Sequence, residues 1–432
     1  MAHWNLSRSG DGSLTLGDVS LVHLAHEFGT PVHVLSDERL RANLDALGPV
    51  ELFCSYKTHP VPHVLKTMHE TGAGAEVISE LELDMALKLG LPPERIIYNG
   101  TAKTERLLRT AIGAGILLLN INHLEELDVI AAIARDLKAR PRVGVRVNTR
   151  SGWSAQFGSA IDSGAALRVF EKALGMSELE VVGLHSHRGA LIRSVDALEQ
   201  YVAELLGFCD ELFDQFGWSP EIFDVGGSLP VASVSPYSSR DIRFSQTFGI
   251  EVGGPDPSQN LRLDAYAKQL RHQVEAHFSG ASRPVPRLVA EPGRAVTGDA
   301  QLMLTRVISV REVDEGLPIA VLDVGVNAAS IMKSERHQIF HVNKTEQGAA
   351  LQKYRVVGPV CQPGDVMSNA VSLPHLERGD VLAIMDSGAY FEPDATVFSF
   401  VRPGTVMLRN GRAQMVRRHE TLDDVLARDL VL

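Results

Sequence analysis

The chain has 432 residues, 44% hydrophobic and 22% charged, an ordinary globular composition with length for about two domains. No run of about 18 uninterrupted apolar residues occurs, and the opening MAHWNLSRSGDG lacks an apolar h-region, so neither a helical membrane span nor a secretory leader is expected. A formal charge of -11 with no basic stripe argues against nucleic acid, and three scattered cysteines without a CxxC pair fit a reducing, cytoplasmic setting.

In chain order, eight short apolar stretches are expected as strands: 52–58, 74–79, 96–100, 117–122, 142–148, 181–187, 221–227 and 288–293. Several are continuous Val/Ile/Leu runs, as in parallel strands buried on both faces. Helical stretches separate them, at 79–90 (opening Ser79-Glu80-Leu81-Glu82 and closing at Gly90), 101–114, 122–134 and 198–216. The pattern predicts a (β/α)8 barrel, an α/β fold whose strand ends converge on one mouth. Two stretches break the rhythm, 148–161 and 230–260, both rich in Ser and Gly, and both are expected to cover or shape that mouth. After Gly293 the texture changes to short strands with turn signals, including the Asn410-Gly411 hairpin turn, which predicts an antiparallel sandwich or barrel. The expected layout is residues 1–35 joining a β domain, 36–285 as the barrel, and 286–432 as the rest of the β domain.

The strand ends carry the chemistry. Lys57 closes the first strand in SYKTH, and a lysine at a barrel mouth could form a Schiff base with an aldehyde. Glu291 and Arg294 flank Pro-Gly in EPGR at the last strand. A carboxylate keeps a pyridine nitrogen protonated, and a guanidinium fork suits phosphate. Gly226, Gly227 and Ser228 follow Asp224 and offer backbone N–H groups to the same phosphate. His185 and His187 point to one side of their strand. Two histidines do not make a metal site, so no metal is expected; His187 suits stacking on a flat cofactor, and His185 reads as a buried, hydrogen-bonded histidine. Cys361 lies in the small-residue turn GPVCQPGD, where a thiol could act as an acid or nucleophile, or be a small buried hydrophobe, the fate expected for Cys54 and Cys209.

With these motifs in order, the chain resembles the fold-type III pyridoxal-phosphate enzymes, in the diaminopimelate/ornithine decarboxylase family, from about residue 29 to 425. SYKTH is similar to the cofactor-lysine motif, GLHSHRGA to the motif of the ring-stacking His187, and FDVGGS to the phosphate loop. EPGR, with Glu291, Gly293 and Arg294, matches unchanged. GPVC resembles the segment whose cysteine, here Cys361, protonates the substrate carbon from a neighbouring subunit. DSGAY is similar to the motif whose tyrosine, Tyr390, touches the phosphate, and Arg146 in VRVNT and QFG at 156–158 also match. The resemblance implies a barrel plus β-sandwich, pyridoxal 5'-phosphate as cofactor, and a homodimer with shared sites.

Four departures stand out, the first two at phosphate contacts and the last two bearing on substrate. Ala190 and Ser228 stand where the family has serine and glycine. Gln362 follows Cys361 where the diaminopimelate and ornithine enzymes carry an acid that holds a distal ammonium, and no Arg-Pro-x-Leu-Tyr segment occurs near 331–340. The Cys-x-Pro-x-Asp pattern, through Gln362 and Asp365 as substrate-binding residues, resembles members acting on conjugated amino acids of siderophore and antibiotic pathways. The expected activity is therefore α-decarboxylation of an amino acid or conjugate, with a racemase and a non-catalytic cofactor carrier as the alternatives.

Overall fold

A computed structural model describes residues 1–430 except 153–155, 190, 257–259 and 346–347. Ala190 and part of the 148–161 and 230–260 stretches therefore lie outside the described residues. Eight strands, β1 (Glu51–Ser55), β2 (Gly74–Val77), β3 (Ile96–Tyr98), β4 (Leu118–Ile121), β5 (Arg142–Asn148), β6 (Glu180–Ser186), β7 (Ile222–Asp224) and β8 (Arg287–Ala290), pair in parallel in sequence order. Val289 and Ala290 of β8 pair with Glu51 and Leu52 of β1, which closes the ring. Phe53, Ile97, Leu118, Val182, Ile222 and Val289 form a buried cluster drawn from six of the strands. Gly74 is required by that packing, since a Cβ there would lie 2.5 Å from the Phe53 ring. Burying side chains of this size contributes roughly 1.5–3 kcal/mol each and ties these strands together.

The helices begin where their caps allow. Ser79 accepts the Glu82 N–H at the start of Glu80–Lys88, and Thr104 accepts the Leu107 N–H at the start of Glu105–Ala114. The second helix therefore starts later than the expected residue 101, because Thr104 and not Thr101 supplies the capping oxygen.

The chain divides into two compact units: Ala42–Pro230 with Asn260–Ala295, which holds the barrel, and Met1–Arg41 with Val231–Gln259 and Val296–Leu432. The barrel thus extends past the expected boundary at 285, because its closing strand is 287–290 itself. The segment 231–259 groups with the other unit. It holds a helix, Ser239–Phe248, with a capping box between Ser238 and Asp241. The sequence pattern missed this helix.

In the second unit, strand Gln301–Arg311 runs antiparallel to Val32–Ser36 and to Val381–Ile384. Its residues alternate between two cores: Met303 and Val307 face one cluster, Leu302 and Leu304 the other. Most neighbours are antiparallel, but Ile319–Leu322 with Leu351–Val357, and Val32–Ser36 with Gly404–Arg409, pair in parallel. Asn410 and Gly411 both adopt positive φ in the hairpin joining Gly404–Arg409 to Arg412–Arg417, as a two-residue primed turn requires. Among the described residues no helix is long and apolar enough to cross a membrane.

Candidate active site

Polar side chains meet at the C-terminal ends of the barrel strands. β1 ends at Ser55, and Lys57 sits in the 3-10 turn Tyr56–Thr58, just past the strand rather than within it. Its Nζ donates to Ser55 Oγ and to Glu76 Oε2, both at 2.9 Å. Glu76, at the end of β2, is 1% exposed; Ser55 also donates to its Oε2 at 2.5 Å. Asn99, just after β3, uses both amide hydrogens, one on Glu76 Oε1 at 3.1 Å and one on Glu291 Oε1 at 2.6 Å, while its Oδ1 accepts from Asn120 at 2.7 Å. His185 Nε2 lies 3.3 Å from the other oxygen of Glu291. A continuous chain of bonds thus links Lys57 to Glu291 through Glu76 and Asn99.

This network sets the charges. Burial alone would push the Glu291 carboxyl up, but the His185 imidazole, with Nε2 3.3 Å away, holds it below the usual carboxylate range. Asp224, fully buried on β7, moves the other way: burial and the neighbouring Glu291 charge push its carboxyl well up. Burial, reinforced by the Lys57 charge, pushes His187 down to about 3, so its ring is neutral at neutral pH. The Gly227 N–H donates to His187 Nδ1 at 3.2 Å and fixes the ring. His185, His187 and Glu291 also bring one ligand atom each within 4.8 Å of the others, but Gly227 and Asn99 already occupy acceptor positions on two of them.

The turn after β7 is tightly built. Gly226 has φ +66, its N–H donates to Asp224 Oδ1 at 2.9 Å, and a Cβ there would lie 2.6 Å from the Ser186 carbonyl oxygen. Ser228 also has positive φ, +68, which accounts for the family's glycine at this place; its Oγ accepts the Gly189 N–H at 2.9 Å. Gly293 lets the EPGR turn pass Thr58, whose Oγ1 would lie 2.1 Å from a Cβ. Arg146, on β5, stacks its guanidinium 4.9 Å from the Phe157 ring centroid.

Lys57, Arg146, His187, Gly226, Gly227, Ser228, Glu291, Gly293 and Arg294 belong to the barrel unit, and Cys361, Gln362, Asp365 and Tyr390 to the other. Cys361 is exposed. Asp365 requires a correction: it does not offer a carboxylate to a substrate. It is 3% exposed, with Oδ1 accepting the Val326 N–H and Oδ2 the Val360 N–H, both at 2.7 Å. Gly325 and Gly358 pack so closely on these oxygens that a Cβ at either would lie under 2.5 Å away. Asp365 therefore staples the loop that presents Cys361. Asp365→Ala leaves two buried N–H groups without acceptors and is expected to destabilise the protein by about 2–4 kcal/mol in urea unfolding. An unchanged midpoint would show that the staple does not matter. Tyr390 lies in left-handed backbone, φ +68, at the end of a turn held by Ser387 N–H to the Gln301 carbonyl at 2.9 Å.

Sequence reasoning missed Glu76, Asn99, Asp224 as an acid, and His185 as the partner of Glu291. The signal was present in part, since Glu76 is a lone carboxylate in the apolar run GAEV.

The pyridoxal binding domain of the pyridoxal-dependent decarboxylases matches residues 36–298. The chain belongs to this family. A diaminopimelate decarboxylase of Actinosynnema pretiosum is 30% identical over 99% of this decarboxylase chain and 95% of its own. That of Aquifex aeolicus is 29% identical, over 96% and 95%. A crystal structure of an Aquifex aeolicus protein, 28% identical, matches with a TM-score of 0.85, covering 100% of this chain and 99% of that one. The diaminopimelate decarboxylase of M. jannaschii, at 24% identity, shares the fold with a TM-score of 0.86 over 99% and 98%.

The cofactor of this decarboxylase is pyridoxal phosphate, and the donor set fits it: an amine at Lys57, a buried ionised carboxylate at Glu291 and a neutral flat ring at His187. The Gly226 and Gly227 N–H groups are engaged by Asp224 and His187.

Proposed function

We propose that this chain decarboxylates, at the α-carbon, an amino acid whose far end carries no free ammonium, an amide-linked conjugate. It acts as a homodimer in which Cys361 of one copy meets substrate held at the barrel of the other. One observation carries the substrate class: the loop presenting Cys361 offers no available carboxylate. Asp365, the acid of that loop, is buried with both oxygens on backbone N–H groups, and the residue beside the thiol is the neutral Gln362. A charge-assisted bond is roughly twice as strong as a neutral one, so an ammonium has little to gain here. The relatives named diaminopimelate decarboxylases support the reaction class.

When bound, pyridoxal phosphate supplies an aldehyde for the substrate amine and a ring that accepts the electrons left by departing CO2. Lys57 Nζ is the amine that would hold the cofactor, and Glu76 and Ser55 orient it. Glu291, ionised and anchored by Asn99 and His185, keeps a proton on the ring nitrogen. His187 orients the ring by stacking, and Ser228, Arg294, Tyr390 and Arg146 hold the phosphate end. Cys361 carries the proton returned to the carbon.

A screen of CO2 release decides the substrate class. Free diaminopimelate, lysine and ornithine are expected to show kcat/KM about tenfold or more below their Nε- or Nδ-acylated counterparts. A kcat/KM for any free diamine above those of its acylated forms would overturn the assignment.

A further inference from the structure

A cavity of about 290 Å³ lies within the second unit, between the helix Ser239–Phe248 and the strand Val366–Pro374. Pro363 and Gly364 form part of its wall, two residues beyond Cys361. Two residues span at most about 7 Å, so the cavity starts within reach of a short chain attached to a carbon at that thiol.

The cavity wall does not expose the His337 imidazole, which is fully buried with its Nδ1 2.9 Å from the Met385 carbonyl oxygen.

The charges around the cavity are unequal. Lys333 and Arg355 line the cavity, are exposed, and have no carboxylate partner among the described residues. Both acids of the lining are engaged: Glu251 accepts from Ser372 N–H at 3.1 Å and Oγ at 2.6 Å, and Asp241 caps its helix through Ser238. Arg336, the third cation, donates to the Val252 carbonyl and to Gln338. The site therefore offers two available cations.

We propose that this cavity binds the acyl arm of the substrate, an amide whose far end is a carboxylate, with Lys333 and Arg355 facing that carboxylate. This rests on the reading that the substrate is an acylated amino acid.

The test uses the holoenzyme with Nε-succinyl-L-lysine and Nε-acetyl-L-lysine, which share the amide and differ in the terminal carboxylate. Isothermal titration is expected to give a Kd about five- to tenfold lower for the succinyl compound. In Lys333→Ala/Arg355→Ala that advantage disappears while the acetyl compound binds as before; both side chains are exposed, so the fold is retained. Equal affinities in the wild type, or an advantage surviving in the double variant, would overturn the proposal. CO2 release is measured alongside. A charge-dependent affinity with no CO2 from either compound supports the cavity assignment and removes the proposed reaction, so the two fail separately.

Discussion

Lys57→Ala is expected to lower CO2 release by at least about 10³-fold and to abolish covalent retention of pyridoxal phosphate, while the chain still folds. Lys57 is at the surface of the site, its side chain 36% exposed, so its removal opens no core cavity. Glu76 loses one of its donors but keeps Ser55 and Asn99. Circular dichroism should therefore be unchanged. The decisive measurement is mass spectrometry after borohydride reduction: the wild type should carry one adduct, on the peptide containing Lys57, and the variant none. An adduct on a different lysine, or retained turnover, would remove Lys57 from its assigned place.

Glu291→Gln is expected to reduce kcat by about 10²–10³-fold with little change in KM, leaving the cofactor attached. The amide is nearly the same size and can still meet Asn99, so the packing at the end of β8 survives. What is lost is charge. An amide cannot keep a proton on a pyridine nitrogen, and His185 loses the carboxylate 3.3 Å from its Nε2. Asp224 would change as well. Part of what raises its carboxyl is the negative charge of Glu291, so in the variant it should move back toward the ordinary range, still resisted by burial. Steady-state kinetics with a visible spectrum of the bound cofactor reads both effects. A kcat within threefold of wild type, with the cofactor retained, would show that the ring nitrogen is not served by Glu291.

The barrel was legible because parallel strands buried on both faces leave continuous apolar runs, and each such run ends where a polar side chain is tolerated. Lys57, His187 and Glu291 were visible for that reason. Glu76, Asn99 and Asp224 were not, because one carboxylate or amide in a strand has many bland explanations until its partners are known. Asn99 shows the difficulty: its two hydrogens go to carboxylates 23 and 192 residues away in sequence. The helix 239–248 escaped notice because its start signal, Ser238 with Asp241, sits among serines and prolines that also signal loop. Asp365 was assigned to substrate through the resemblance of its Cys-x-Pro-x-Asp pattern, whereas in space its two oxygens accept the Val326 and Val360 N–H groups.

The order of strands, the barrel architecture and the type of chemistry at each strand end were determined by the sequence by itself, since hydrophobic period and residue type are local properties. Which carboxylates are charged, which are spent on backbone, and where a cavity opens beside Cys361 were decided only by the tertiary structure. Those depend on desolvation and on partners brought together across long separations, and neither is encoded in any short stretch of chain.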